Sequence, residues 1–437
     1  MRRTPLNLAP LRHRGFRLLV VGQLASNLGD LFYAVALPWY VLANHGGALL
    51  LGTVLAAYGI PRTALLAVSG HAADQWRPWN VMMVADVLRA IGVSALAIAA
   101  FSGPARTYLL IPIALVVGAG EGMFLPSSFA IVPSLLDDSD LQAGNALTSG
   151  GTQLATLLGP AIGGVLVATL GPALAFAVDA ASFIFSAITL VGVRRLEQSA
   201  RAGTSCGVAD VPSGVAAGAS VVHVATEPVT LRHVLRNERV LQVILLVTLA
   251  ANLGSGGMSE VALPALVHGP LHDGAVGYGS LIAAVGAGAL VGTLAAGRAP
   301  RMRRPAMIAS YGFIAEAAVI AAVPYLGSTL AAAVALMVFG LLNGFSNVVT
   351  ITLFQRWAPG EIMGRLMGIL MFASVGIFPV SVFVAGVVVT HAGPSLFFPL
   401  GGAAIAVAVL AGISQREWRE FGVDETMGMR LAVDPAT

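Results

Sequence analysis

The 437-residue chain is 57% hydrophobic and 10% charged, with a mean hydropathy of +0.84. Soluble globular proteins carry about 25% charged residues, so this composition excludes a soluble protein and predicts a membrane protein. The formal net charge is only +3; it reflects membrane topology, and no nucleic-acid partner is expected. The single cysteine, Cys206, allows neither an intrachain disulfide nor a cysteine metal cluster, and no cofactor or metal ion is predicted.

A helix that crosses the hydrocarbon core of a bilayer needs about 20 mostly apolar residues. Twelve segments of the chain meet this requirement, which predicts an all-α polytopic membrane protein with twelve transmembrane helices, called spans 1 to 12. In chain order the predicted spans are 16–43, 49–69, 80–101, 107–128, 145–168, 173–193, 240–265, 276–297, 305–325, 328–354, 364–390 and 395–413.

An internal repeat relates the two halves of the chain. Residues 27–38 of span 1 and 252–264 of span 7 both begin Asn-Leu-Gly and end Val-Ala-Leu-Pro, and the second copy has one extra residue. Same-direction repeats predict two pseudo-symmetric six-helix bundles around a central cavity. The predicted domains are an N-terminal bundle (1–193), a cytoplasmic linker (194–239), a C-terminal bundle (240–413) and a cytoplasmic tail (414–437).

The basic residues predict the orientation. All 24 Lys and Arg positions are arginines, and with a cytoplasmic N-terminus only Arg106 falls in an outer loop. Cytoplasmic loops carry an excess of basic residues. We therefore expect both termini to be cytoplasmic, in a bacterial inner membrane.

Polar side chains follow one face of span 1 at membrane depth. Gln23, Asn27 and Asp30 are spaced four and three residues apart, so they share a helical face that lipid does not tolerate. They are predicted to line a water-filled substrate cavity; alternatively, Asp30 caps a neighbouring helix near the cytoplasmic mouth. Tyr33 is a candidate for stacking on a hydrophobic substrate.

Span 7 has a similar polar face that includes Thr248, Asn252 and Ser259, with Glu260 beside it. The first three are further candidates for the substrate cavity. Glu260 is weighed equally as a proton-coupling group and as a structural acid. Asn343 of span 10, which stands at the repeat position of an acid in span 4, is also a cavity candidate.

Glu121 of span 4 and Glu316 of span 9 are the deepest acids. A buried carboxylate loses hydration, so a carboxyl group at membrane depth can take a proton from one side and release it on the other. Alternatively, the acids form salt bridges with Arg62 or Arg89 that hold helices together, and Arg62 could instead meet an anionic substrate. The candidates for proton coupling are Asp30, Glu121, Glu260 and Glu316.

Two further acids are interpreted as structural. Asp86 lies three residues from Arg89 in span 3, close enough to pair along the helix. Asp179 lies in the outer half of span 6.

Two motifs carry a resemblance to a known family. The loop with Gly70, Asp74 and Arg77 after span 2 is similar to the cytoplasmic gate motif of the major facilitator superfamily. The resemblance implies that Asp74 helps to latch the two bundles together on the cytoplasmic side. The alternative is an ordinary solvated loop acid.

In span 5, residues 159–164 read Gly-Pro-Ala-Ile-Gly-Gly and resemble the antiporter motif of the drug- and siderophore-exporter branch of that superfamily. With twelve spans, the resemblance covers essentially the whole chain. It implies a monomer that gives alternating access to one cavity and exchanges protons for substrate, as enterobactin and macrolide exporters do. The motif positions are Gly159, Pro160, Gly163 and Gly164.

The predicted function is export of a small amphipathic or hydrophobic compound (a drug, a macrolide-like metabolite or a siderophore) by proton antiport. The alternative is an importer or facilitator of a specific solute or lysolipid, with structural acids. No enzyme is predicted, because the sequence has no HExxH, P-loop or nucleophile-elbow motif with partners. The expected partners are a small-molecule substrate, protons and the lipid bilayer.

Overall fold

The computed structural model describes residues 9–75, 77–103, 107–204, 236–299, 302–358 and 362–423. In these ranges the chain is helical and has no β-strand. Twelve of the described helices are long and apolar enough to cross a membrane, so the predicted fold class is confirmed. Lipid offers the backbone no hydrogen-bond partners, and a helix satisfies its own backbone groups internally.

Within each half of the chain, the spans follow one another through short connections. Spans 1 to 6 are Arg14–Ala43, Gly47–Gln75, Pro78–Phe101, Thr107–Leu135, Asp138–Leu170 and Pro172–Thr204. Spans 7 to 12 are Arg239–His268, Ala275–Arg298, Pro305–Ala322, Thr329–Trp357, Met363–Gly376 continued by Phe378–Ala392, and Pro394–Ser414. Shorter helical segments are Ala9–Arg12, Val323–Tyr325 and Arg416–Glu420.

Two helices run past the ends of their predicted spans. The helix of span 6 runs to Thr204, past the predicted end of the N-terminal bundle at 193, because a helix is not obliged to stop where its sequence becomes polar. The helix of span 2 likewise continues to Gln75, through most of the predicted loop. Residues 205–235 of the predicted linker lie outside the described residues.

Both described ends of the chain lie on the same side of the membrane, because twelve spans alternate in direction. We call this the terminal side and the opposite one the distal side. On the distal side, Gly171 and Gly393 form repeat-related turns before spans 6 and 12, each with φ of 81°. A positive φ favours glycine, and the proline that follows each glycine suits the first turn of a helix.

Glycines let equivalent helices approach closely within each bundle. Gly122 of span 4 packs on the backbone of Arg62 in span 2, and the repeat-related Gly344 of span 10 packs on the backbone of Ala289 in span 8. Small residues at such crossings are how membrane helices gain close van der Waals contact. In the N-terminal bundle this contact fixes the position of Arg62 at the middle of its span.

Two glycine pairs join the bundles on the distal side. Gly52 of span 2 packs on Gly386 of span 11, where a Cβ added to Gly52 would lie 3.0 Å from the Gly386 Cα. Gly279 of span 8 packs on Gly164 of span 5 at the same separation. Contacts between the bundles are concentrated along these two pairs of spans. The two bundles are thus in backbone contact near the distal ends of these spans.

Candidate functional site

Arg62 and Glu121 form an ion pair midway along spans 2 and 4. The Arg62 Nη2 lies 3.1 Å from the Glu121 Oε1, and each side chain is about a quarter exposed. The guanidinium also lies 5.7 Å from the ring of Tyr58 and 6.0 Å from the ring of Phe378 in span 11. Arg62 therefore contacts both bundles while it pairs with an acid of the N-terminal one.

Arg89 of span 3 holds two acids together inside the N-terminal bundle. Its Nη2 donates to the Asp86 Oδ1 at 2.6 Å, and its Nη1 lies 3.5 Å from the Asp30 Oδ2. The guanidinium lies 4.3 Å from the ring centres of both Phe124 and Phe183. Arg89 and Asp86 are buried, whereas the Asp30 side chain is 36% exposed. Asp30 is thus the partly exposed member of this triad.

Tyr33 lies among several acids that belong to both bundles. It interacts electrostatically with Asp179, Glu121, Asp30 and Glu260. With Asp86, five acids stand near only two described arginines, Arg62 and Arg89. An excess of carboxyl groups in a region of low dielectric attracts protons and other cations.

Glu260 lies on a π-helical turn, Met258–Ala262, that interrupts span 7. This turn absorbs the extra residue found in the second copy of the sequence repeat. Single π-turns within α-helices occur frequently at functional sites. Here the turn places Glu260 where it interacts electrostatically with Arg62 across the bundle interface.

Ser381 of span 11 supports the start of the π-turn. Its hydroxyl donates to the Leu253 carbonyl at 2.6 Å and accepts from the Gly257 N–H at 2.6 Å. On the other flank, the Tyr278 hydroxyl donates to the Ser259 carbonyl at 3.1 Å. Side chains from spans 8 and 11 thus bind backbone groups of span 7 where its hydrogen-bond pattern changes from α-helical to π-helical.

The C-terminal bundle contains a polar cavity of about 170 Å³. Thr248, Asn252 and Asn343, which were predicted to line the substrate cavity, are among its lining residues. All lining residues come from the C-terminal bundle and the tail. Glu316 lies beside the cavity, and its Oε1 accepts a hydrogen bond from the Asn343 Nδ2 at 3.1 Å.

The remaining cavity candidates of span 1 lie in the N-terminal bundle. The Asn27 Nδ2 donates to the Thr152 Oγ1 of span 5 at 3.2 Å, and Gln23 is half-buried one turn away. Span 1 turns its small residues, including Gly29, toward span 6. Its polar residues thereby face span 5 and the space between the bundles.

The antiporter motif has two faces. Gly159 and Gly163 pack on Leu31 and Phe32 of span 1. Gly164 and the carbonyl of Pro160 pack on Gly279 of span 8 in the other bundle. The motif residues therefore join span 1, with its polar face, to the distal contact between the bundles.

Most of the gate motif lies outside the described residues. Gly70 and Asp74 belong to the stretch of span 2 whose side chains lie outside the described residues, and Arg77 is exposed. The latch implied by the resemblance stays a prediction.

Two six-helix bundles that enclose a polar, acid-rich space define the architecture of a secondary transporter of the major facilitator type. The chain belongs to the family described as transmembrane secretion effectors, whose pattern it matches over residues 6–425. The chain is 27% identical to the multidrug efflux pump Tap of Mycobacterium tuberculosis over 390 residues, which are 86% of this chain and 87% of that protein. It is 24% identical to the enterobactin exporter EntS of Salmonella typhi over 372 residues, 83% of each chain.

Solved structures show the same fold. A bacterial homologue of the iron transporter ferroportin superposes with a TM-score of 0.67 at 15% identity, over 93% of this chain and 98% of that one. A D-xylose–proton symporter gives a TM-score of 0.65 at 15% identity, with the same coverage. These likenesses, with the family match, confirm the resemblance to the major facilitator superfamily.

Proposed function

We propose that the protein exports a small amphipathic or hydrophobic compound from a bacterial cell in exchange for protons, by alternating access to the space between its bundles. In this arrangement both termini lie in the cytoplasm. The protein works as a monomer. The observation that carries the proposal is the ion pair of Glu121 with Arg62, whose guanidinium also lies against Phe378 of the other bundle. The efflux pumps among its relatives support the direction of transport.

The chemistry required of the acids is reversible protonation. Glu121 and Asp30 are each partly exposed and each lie next to an arginine, at 3.1 and 3.5 Å. A proton that binds Glu121 neutralises it and releases Arg62 to interact with Glu260 of the other bundle. Loss of that proton restores the pair in the N-terminal bundle. Proton binding thereby changes the electrostatic attraction between the two bundles.

The distal glycine pairs supply the second requirement, a closure that can open. Gly52 on Gly386 and Gly279 on Gly164 are backbone contacts related by the internal repeat. Contacts without side chains can separate and re-form with few rotamer changes. If these distal contacts separate while the terminal side closes, Glu121 and Asp30 become accessible from the other side of the membrane.

The ion pairs also favour a second candidate, an importer or facilitator of a specific solute in which the acids are structural. Arg62 with Glu121, and Arg89 with Asp30 and Asp86, connect helices of one bundle. Paired acids of this kind stay ionised and need not move protons. This second candidate predicts transport that does not respond to a proton gradient.

The test is the accumulation of a fluorescent amphipathic dye in cells that express the protein, with and without a protonophore. Lower accumulation that the protonophore abolishes is the expected result. Glu121→Gln should remove this difference while the exposed tail variant Glu417→Gln keeps it. Equal accumulation in expressing and control cells, with the protein in the membrane, would count against multidrug export.

A further inference from the structure

Glu316 of span 9 is a fully buried carboxyl group that uses only one of its two oxygens in a described hydrogen bond. Its Oε1 accepts from Asn343, and its Oε2 has no partner among the described residues. The described ion pairs do not include it. An isolated buried carboxylate is very costly, so such a group binds a proton or another cation. A single proton on Oε2 neutralises it.

The groups that face Glu316 from the packed helices are neutral. Span 10 presents Asn343 and, one turn along, Ser346, which lies against Gly312 of span 9. Span 12 packs on this part of span 9 through Gly402, whose added Cβ would lie 2.5 Å from the Ala317 carbonyl. The surroundings therefore provide no countercharge but do provide hydrogen-bonding oxygens.

Polar side chains of span 10 form a row from Glu316 toward the terminal side. Asn343, Ser346 and Thr350 follow one face of span 10 at helical spacing, and the hydroxyls of Ser346 and Thr350 are buried without a described partner. The polar cavity of about 170 Å³ runs beside this face and includes Asn343, Thr350 and Ser310 in its lining. A cavity of this size with polar walls holds several water molecules, which satisfy such groups.

Trp418 closes the terminal end of the cavity. It belongs to the short helix after span 12, is 3% exposed, and lines the cavity. Its Nε1 donates to the Ser310 Oγ at 2.9 Å. Its ring stacks on Phe421 with centroids 5.6 Å apart, and Phe421 in turn packs on Trp357. The tail is thus docked on the C-terminal bundle at the terminal end of the polar cavity.

We infer that Glu316 is a proton-binding site with a water-filled path of its own, which runs through the C-terminal bundle to Trp418 and is separate from the space between the bundles. A proton enters from the terminal side, passes along the waters beside Thr350 and Ser346, and binds the Glu316 Oε2 to give the neutral acid; release follows the reverse course. The role of this site in transport rests on the proposed function, whereas the site itself does not. Trp418 controls how fast protons reach it.

The test is infrared difference spectroscopy of the purified full-length protein in lipid nanodiscs, without substrate or a proton gradient. The wild type should show a protonated-carboxyl band that Glu316→Gln removes. After transfer to heavy water, Trp418→Ala should accelerate deuterium exchange of this band about tenfold. Trp418→Phe, which keeps an aromatic ring but loses the hydrogen bond to Ser310, should accelerate it less. Trp39 packs on His268 near the distal end of span 1, so Trp39→Ala should leave the exchange unchanged.

Absence of a band that depends on Glu316 would show that Glu316 is not a proton-binding site. A band that exchanges equally fast in the wild type, Trp418→Ala and Trp418→Phe would overturn the path. The outcomes are independent of the proposed function: a Glu316 band in a protein whose export ignores the proton gradient supports the site and rejects proton antiport. Proton-driven export without the band rejects the site alone.

Discussion

The guanidinium of Arg62 pairs with Glu121 at 3.1 Å and lies 6.0 Å from the ring of Phe378, so one side chain connects an acid of the N-terminal bundle to the surface of the C-terminal bundle. Glu260 interacts electrostatically with the same arginine from the other bundle. Arg62 therefore lies between two acids that belong to bundles expected to move relative to each other.

Glu121→Gln should lower proton-driven efflux at least tenfold, equivalent to about 1.4 kcal/mol in the rate-limiting barrier. The amide cannot exchange a proton, and Arg62 loses its partner in the N-terminal bundle. Efflux rates in everted membrane vesicles, normalised to protein level, would measure the effect.

The double variant Arg62→Met with Glu121→Gln separates the two interpretations of this pair. If the pair only holds helices together, removing both charges should restore much of the transport, because no unpaired buried charge remains. Proton coupling through Glu121 predicts instead that the double variant stays as inactive as Glu121→Gln. Recovery of transport would show that the pair is structural.

Gly164→Val should prevent full closure of the distal side. A Cβ at this position would lie 2.7 Å from the Ala275 carbonyl, which is backbone and cannot rotate away. We expect reduced transport and greater reactivity of cysteines placed near the distal mouth toward an impermeant thiol reagent. Gly150→Ala, in the same span but facing open space, is the matched control, and similar behaviour of the two variants would contradict the role of the glycine pair.

Arg89→Met should destabilise the N-terminal bundle by about 3–5 kcal/mol, because it leaves the buried Asp86 without its charged partner. The measurement is the thermal stability of the purified protein in detergent. Arg419→Met, on the exposed tail, should have no comparable effect. If Arg89→Met is as stable as the wild type, the triad of Arg89, Asp30 and Asp86 does not stabilise the N-terminal bundle.

Ser381→Ala should weaken the π-turn of span 7, because the Gly257 N–H and the Leu253 carbonyl lose a shared partner. The expected cost is about 1–3 kcal/mol for the unsatisfied buried groups, together with slower efflux through displacement of Glu260. Ser414→Ala at the exposed end of span 12 provides the comparison. Normal efflux in Ser381→Ala would show that transport does not depend on the π-turn.

The sequence predicted the spans well because the bilayer imposes a length and an apolar composition that are visible residue by residue. The extra residue in the second repeat copy was a usable signal for the π-turn at Glu260. The pairing of Asp30 with Arg89 was not predictable, since it depends on how spans 1 and 3 rotate against each other. The same applies to Thr248, Asn252 and Asn343, which helix packing places in the cavity of the C-terminal bundle.

The docking of Trp418 could not be predicted from the sequence. A helix of five residues after the last span gives no hydropathy signal, and only the structure shows its indole bound to Ser310. The pattern of polar residues in span 10 was visible, but its continuation to the tail was not.

The most direct test of proton antiport uses purified protein reconstituted in liposomes with an imposed pH gradient, a fluorescent amphipathic dye as substrate and a pH indicator in the lumen. Proton antiport predicts that dye moves against its gradient toward the acidic side while protons leave that side, and that Glu121→Gln abolishes both fluxes. Dye movement that is unaffected by the pH gradient, or that runs in the same direction as the protons, would contradict it.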